Sequence, residues 1–513
     1  MSNDVYRDLM GDADDDHSRK PVEDAPPPPP RRANWLASPS GHLATDIGNG
    51  GRLAEALDGE VIYVIGKGWA VRDGARYSFR GDAVRAQDAA AVLPKLIRTE
   101  ADAAAALPVT NQDVDDVLAG RLGKAAPFKA NSVPSAVTCL RLARRNIWDA
   151  WAVKCESLER IKKGLEVAKP ALLRDIEDLD ADPWSLTVPN GRVDLRAAIA
   201  ADLDNAEALE PEEELDARAA WLKPQDWSTL PTKCAGVAYD PAATCPRFLD
   251  FLALIQPTEE ARAFLQRALG LLIFGRNYLQ VALMMKGGGG NGKSTLMNAI
   301  GHALGRRDGY FEAVNVAMFL FQRQEDPGKA TPHEVGIPGA RAIVASETAP
   351  TDEFSGKKIK SMTGGDERQC RGMFKEAFKY TPRAVPVISF NDSPTIREND
   401  EGTRRRLVFI PFPVNLRDLP PDQAKSEEQA EAELKAEAAG ILNWLIDGFV
   451  RVRRDGLRPT EDALTQKARE FSTADPVATF IDQCLDRDPA GRIGVKVMHA
   501  GFVAWCDIAG ETP

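Results

Sequence analysis

Hydrophobic and polar positions change rhythm several times along this 513-residue chain. Residues 1–33 hold an acidic patch (Asp12, Asp14, Asp15, Asp16), five consecutive prolines from Pro26 to Pro30, and Arg31-Arg32. So little apolar surface cannot offset the entropy of ordering, and a disordered tail is expected. Folded sequence is expected from about Trp35. Glu60 to Ile65, followed by Gly68 to Val71, reads as short strands around a turn. Residues 82–180 are rich in Ala and Leu at helical spacing. Asp182 to Leu195 returns to strand and turn, residues 201–216 read as a solvated acidic insertion, and Pro246 to Phe274 is helical again.

The pattern then alternates. Leu279 to Met285, Ala340 to Ser346, Val385 to Phe390 and Leu407 to Pro411 read as four strands, and Ser294 to Leu304 as a helix. Short apolar runs separated by helical segments predict an α/β domain. Residues 417–438 are acidic and Ala-rich, which suggests a linker or an exposed helix. The remainder reads as helical, with a small β element at Ile493 to Val495.

Composition narrows the class. Apolar residues make up 43% and charged residues 27%, ordinary values for a globular protein. No apolar run approaches the ~20 residues of a membrane span, and no signal-type segment opens the chain. A cytoplasmic protein without a membrane partner is expected. The seven cysteines form no CxxC pair, so a zinc ribbon is not expected and reduced thiols are. The net charge of -11 argues against a nucleic-acid binder until its distribution is considered. Between Phe354 and Arg383, basic residues including Lys360, Arg371 and Lys375 outnumber acids, and Phe374, Phe378 and Tyr380 are interleaved. The turn Thr363-Gly364-Gly365-Asp366 suggests a hairpin or loop there. Lysines and rings at such a tip suit a single nucleic-acid strand, since charge tracks the backbone and rings stack on bases.

The strongest chemical signal is Gly287-Gly288-Gly289-Gly290-Asn291-Gly292-Lys293-Ser294, followed by Thr295. It fits the pattern GxxxxGK[ST] between an apolar strand and a helix. The glycines let backbone N–H groups point inward at phosphate oxygens. Lys293 supplies charge to the β- and γ-phosphates, Ser294 offers a hydroxyl to Mg²⁺, and the helix presents its positive end. The loop leaves ATP and GTP undecided. Hydrolysis also needs a carboxylate beside the metal and the attacking water. Glu347, at the end of Ala342-Ile343-Val344-Ala345-Ser346, is the candidate base and metal ligand. Asn391, after the third strand, is the candidate γ-phosphate sensor. Arg405 and Arg406, before the fourth strand, are candidates for a trans-acting arginine that stabilises transition-state charge in a neighbouring subunit.

Together these segments resemble the superfamily 3 helicases, in particular the helicase module of phage and plasmid primase-helicases, related to the poxvirus replicative helicase-primase. The phosphate loop, Ala345-Ser346-Glu347-Thr348, Ile359 to Asp366 with Arg371 and Lys375, Phe390-Asn391, and Arg405-Arg406-Leu407 match the family's motifs in order. Asp182-Pro183-Trp184, Val188 to Leu195, Val237 to Asp240 and Cys245 to Phe248 resemble the domain that precedes its motor. The resemblance implies an AAA+-like P-loop core at 276–416, an α+β N-terminal domain at 34–225 and a helical collar at 226–275. After the linker it implies a helical region at 439–513, where Val477 to Leu485 and Val497 to Ala509 resemble the start of a winged helix, and truncation of the gene or protein is expected. It further implies ATP and Mg²⁺ as cofactors and a homo-hexameric ring moving 3′→5′ on single-stranded or forked DNA. Lys360, Arg371 and Lys375 would grip that DNA. The host is expected to be a bacterium carrying the gene on a phage or plasmid, with a separate primase or host replication proteins as partners. No primase module is read in the chain. A P-loop kinase and a non-catalytic DNA-loading ring are the alternatives.

Overall fold

A computed structural model describes residues 40–204, 211–322, 331–346, 352–372, 375–391, 395–397, 400–418, 427–473, 476–486, 488 and 491–509. The tail at 1–33, Glu347 and Phe374 lie outside the described residues.

The chain divides into two compact units. One comprises the residues up to Arg52 together with Leu93–Arg160. It is helical, with Leu93–Ala106 packed along Val133–Lys154. A third helix, Asn111–Leu118, buries Val114 and Val117 with Ala136, Cys139, Leu140 and Ala143 of Val133–Lys154. Arg52 forks onto both Glu100 carboxylate oxygens at 2.7 and 2.6 Å, a bidentate pair.

The other unit, Leu53–Val92 with Ile161–Pro513, contains every candidate site residue. Its centre is a five-stranded parallel sheet: β1 Ala282–Lys286, β2 Phe311–Ala313, β3 Ala342–Ala345, β4 Val385–Phe390 and β5 Leu407–Pro411. The order is β5-β1-β4-β3-β2. All four pairings are parallel, with Leu283 opposite both Val387 and Val408. Strands covered on both faces need apolar residues at successive positions, as these runs have. The pleat then sorts them. Leu283, Met285, Val387 and Ile410 enter one core with the helices Glu259–Gly270, Lys293–Leu304 and Ala438–Asp455. Ala282, Met284, Ile388 and Phe409 enter a second core with Phe354, Ile359 and Met362. The fold is therefore α/β, with helices on both sheet faces.

Two small antiparallel sheets belong to the same unit. Val61–Val64, Gly68–Asp73 and Arg76–Ser78 form one; Ser185–Val188, Gly191–Asp194 and Leu222–Lys223 form the other. The segment expected as a collar holds the helices Pro246–Ile255 and Glu259–Gly270, whose Phe248, Leu252, Phe264 and Leu265 lie in the sheet's own core.

Two local expectations are corrected and a third is refined. Residues 491–494 are irregular and Val495 opens a helix, so no strand forms at Ile493 to Val495. Thr363 to Gly365 is not a hairpin turn. Gly356–Gly364 is a helix, and Gly365 ends it at φ +79°, a conformation glycine takes without strain. The hairpin follows, as Arg368–Arg371 paired with Ala377–Tyr380. The acidic stretch read as a linker or exposed helix holds the helix Glu427–Ala436, which packs on Lys293–Leu304 and buries Leu434.

Candidate functional site

The glycine-rich loop, the candidate phosphate loop, leaves the central strand β1 at Lys286 and feeds the helix Lys293–Leu304. Gly289, Gly290 and Gly292 take φ +92°, +63° and +76°, which side-chain-bearing residues rarely adopt. Space is as restrictive as angle: a Cβ on Gly292 would stand 2.8 Å from Ile255 Cγ2, and one on Gly287 3.0 Å from Lys293 Nζ. The loop is clasped by the chain that leaves β5. Asn291 Nδ2 donates to the carbonyls of Phe412 at 3.1 Å and Val414 at 2.6 Å, and Leu416 N–H donates to Gly290 at 2.8 Å. Asn291 Oδ1 is buried and accepts no hydrogen bond in the structure.

Lys293 and Asn391 meet. Lys293 Nζ donates to the Gly287 carbonyl at 2.8 Å and to Asn391 Oδ1 at 3.0 Å. The meeting follows from topology, because β4 lies beside β1 and Phe390 is in register with Lys286. Burial, and then the neighbouring Lys286, lowers the Lys293 pKa. Two uncharged acceptors hold that ammonium, so an incoming anion would strengthen its charged form.

A cavity of about 720 Å³ opens over the loop. Gly289 to Thr295 and Asn391 line one end, and Phe251, Leu254, Ala430 and Leu434 give it apolar walls. Arg247 and Arg417 bring two cations that sequence reasoning did not assign. Arg417 follows β5 by six residues with no motif around it. Arg247 opens the helix Pro246–Ile255, and its position in space, not its neighbours in the chain, brings it to the loop. That helix and Glu427–Ala436 are tied together. Glu437 Oε1 accepts from Arg247 N–H at 3.0 Å and Oε2 from Phe248 N–H at 2.9 Å. The carboxylate satisfies two free donors at the helix start.

The other candidates fall elsewhere. Ser346 follows β3 in an exposed position, and Glu347 beyond it is outside the described residues. Arg405 and Arg406 precede β5 at the end of the sheet opposite the loop, about 20 Å away along the strand. Both reach Gln280 Oε1, at 3.3 and 3.4 Å, away from the glycine-rich loop of their own chain.

The basic segment is largely neutralised by acids from distant parts of the chain. Lys360 pairs with Asp400, Arg368 with Glu334, Lys375 with Asp82 and Arg383 with Glu177. Among the described residues Arg371 is exposed and makes no ion pair. Phe378 and Tyr380 are buried in the second core rather than available for stacking. The Tyr380 hydroxyl donates to Glu334 at 2.9 Å, and burial followed by that carboxylate pushes the phenol pKa up.

Comparison with known proteins gives this arrangement a context. Residues 50–257 match the family described as D5 N terminal like, and residues 285–406 match a family of unknown function (DUF5906). A protein of Acanthamoeba polyphaga mimivirus provisionally named helicase L207/L206 is 27% identical over 261 residues, covering 48% of this chain and 27% of that protein. A provisionally named helicase 121R of Invertebrate iridescent virus 3 is 25% identical over 190 residues, covering 36% and 20%. Helicase 184R of Invertebrate iridescent virus 6, also provisionally named, is 25% identical over 292 residues, covering 50% and 29%. The chain thus spans less than a third of the length of these relatives. The apo C-terminal region of NrS-1 aligns with a TM-score of 0.36 at 13% identity, over 46% of this chain and 53% of that one. No described helix is long and apolar enough to cross a membrane. The D5 N terminal like region and the helicase-named viral relatives support kinship of this chain with the phage and viral primase-helicases.

Proposed function

We propose that this chain is the ATP-driven motor of a DNA helicase, with an AAA+-like core that works as a ring and moves 3′→5′ on single-stranded or forked DNA. The carrying observation is the Lys293 ammonium, held between Gly287 and Asn391 at the phosphate end of a cavity large enough for a nucleotide. The glycine backbone and Lys293 would hold the β- and γ-phosphates. Ser294 and Glu347 would hold Mg²⁺, which supplies charge neutralisation between the phosphates. Asn391 would shift its hydrogen bond from the lysine toward the γ-phosphate, Glu347 would orient the attacking water, and the base would lie against Phe251 and Leu434.

The placement of Arg405 and Arg406 supports a ring. They are remote from their own loop, and a second copy presenting them to it would complete the site. A homo-hexamer fits this reading. Arg371, Lys375 and Lys360 would contact the DNA backbone, Lys360 and Lys375 after exchanging their carboxylate partners for phosphate.

The test is phosphate release with and without single-stranded DNA, together with unwinding of forked substrates of both tail polarities. Lys293→Ala should abolish both, and Glu347→Gln should abolish turnover while nucleotide still binds. Turnover by Glu347→Gln equal to the parent would remove the assigned base. Phosphate transfer to a soluble acceptor would mark a kinase instead.

A further inference from the structure

The hairpin is fastened at its tip to the small sheet of residues 61–78, and the lysine proposed to meet DNA makes the fastening. Lys375 Nζ donates to the Lys67 carbonyl at 2.5 Å and pairs with Asp82 Oδ2 at 3.1 Å. The receiving turn, Gly66-Lys67-Gly68, is shaped to it. Gly66 has φ +78°, and a Cβ there would stand 2.6 Å from Phe378 Cδ1 and 2.9 Å from the Glu376 carbonyl oxygen. Gly68 has φ +102°, and its Cβ would meet Asp82 Oδ1 at 2.5 Å. Both positions therefore require glycine twice over, for angle and for space. Asp82 is itself constrained. Its Oδ1 accepts the Trp69 N–H at 2.6 Å, leaving Oδ2 for the lysine, and its φ of +26° is one that non-glycine residues seldom take.

We propose that Asp82 is an internal substitute for nucleic-acid phosphate. It latches Lys375, and with it the hairpin, onto the 66–68 turn until a DNA phosphate takes the lysine. The proposal rests on reading the hairpin as a DNA contact. Exchange is favoured by the pair's exposure: 43% of the Lys375 side chain and 36% of that of Asp82 face solvent, so the attraction is modest and screened by salt. A DNA backbone offers anions in series, and each lysine that reaches one releases a condensed counterion. The latch thus keeps the hairpin ordered without DNA and yields to it.

Asp82→Asn separates the latch from the fold, since the amide oxygen still accepts from Trp69 N–H while the charge is gone. Anisotropy of a labelled oligo(dT) across a salt series, without nucleotide, is the measurement. Freed Lys375 should bind about two- to fivefold more tightly at low salt, the range an exposed pair permits. Its salt dependence should steepen by about 0.7, one additional phosphate contact on a single strand. Both gains should vanish in the Asp82→Asn/Lys375→Ala double variant. An Asp82→Asn affinity equal to the parent's, with Lys375→Ala weakened, overturns the latch and leaves the hairpin reading standing. A gain that persists in the double variant overturns it too, because Asp82 would then act as a diffuse charge. Lys375→Ala binding DNA as the parent does would instead sink the hairpin reading. Hydrogen exchange of the unmodified protein needs no variant to fold: oligo(dT) should speed exchange at residues 66–69, and slower or unchanged exchange there counts against release.

Discussion

Asn291 gives the sharpest test of how the phosphate loop is held. It is 5% exposed, and its Nδ2 spans the carbonyls of Phe412 and Val414. Asn291→Ala removes two hydrogen bonds, each worth about 1 kcal/mol net, and leaves two carbonyls without their donor. A loss of about 2 kcal/mol in the ordered loop corresponds to roughly 30-fold weaker nucleotide binding if the nucleotide must restore that order. Asn291→Asp should be worse, because a carboxylate would face two carbonyl oxygens where an amide donated. Titration of a fluorescent ATP analogue into parent, Asn291→Ala and Asn291→Asp reads both values. Lys293→Ala serves as the loss-of-charge control. Binding by Asn291→Asp within about threefold of the parent would show that the clasp does not set loop geometry.

Two further outcomes follow from residues away from the loop. Glu437→Ala should deprotect the Arg247 and Phe248 amides in hydrogen exchange and weaken nucleotide binding less than Asn291→Ala, because it loosens a cavity wall and not the loop; unchanged protection would refute the cap. Lys67 is buried, and desolvation and then Lys233 bring its pKa from 10.5 to about 8. The unfolded chain therefore binds the extra proton between about pH 8 and 10.5, so stability rises with pH across that window and the penalty is complete below it. Lys67→Met should raise the free energy of unfolding at pH 7 by an amount on the order of 3 kcal/mol, read from denaturant titration, and lose that advantage above about pH 10.5. A difference independent of pH would show that packing alone is responsible.

Much of this was legible in the chain itself. The four apolar runs appear as β1, β3, β4 and β5, within a few residues of the expected bounds, because burial on both faces leaves an uninterrupted apolar stretch that a local window detects. The fifth strand, Phe311–Ala313, is three residues long, too short to carry a period. The loop was equally plain, since its glycines answer a local demand on φ. Its partner Asn391 was reachable because a residue just past a strand adjoining β1 comes beside the loop wherever parallel strands end level.

What the chain could not disclose is who sits across from whom. The basic excess between Phe354 and Arg383 suggested open charge, yet its acids come from Asp82, Glu177, Glu334 and Asp400, as many as 293 residues away. Phe378 and Tyr380 looked like stacking platforms, and the hairpin's pairing turned both into the core. The cavity walls at Phe251 and Leu434 carry no motif, Arg247 lies in a segment that pointed to another domain, and Gly66 and Gly68 read as ordinary turn glycines until the hairpin was laid against them. Backbone periodicity is a property of neighbours in sequence and can be read there. Ion pairing, burial of a ring and the shape of a pocket are properties of neighbours in space, and only the assembled sheet and its helices decided them.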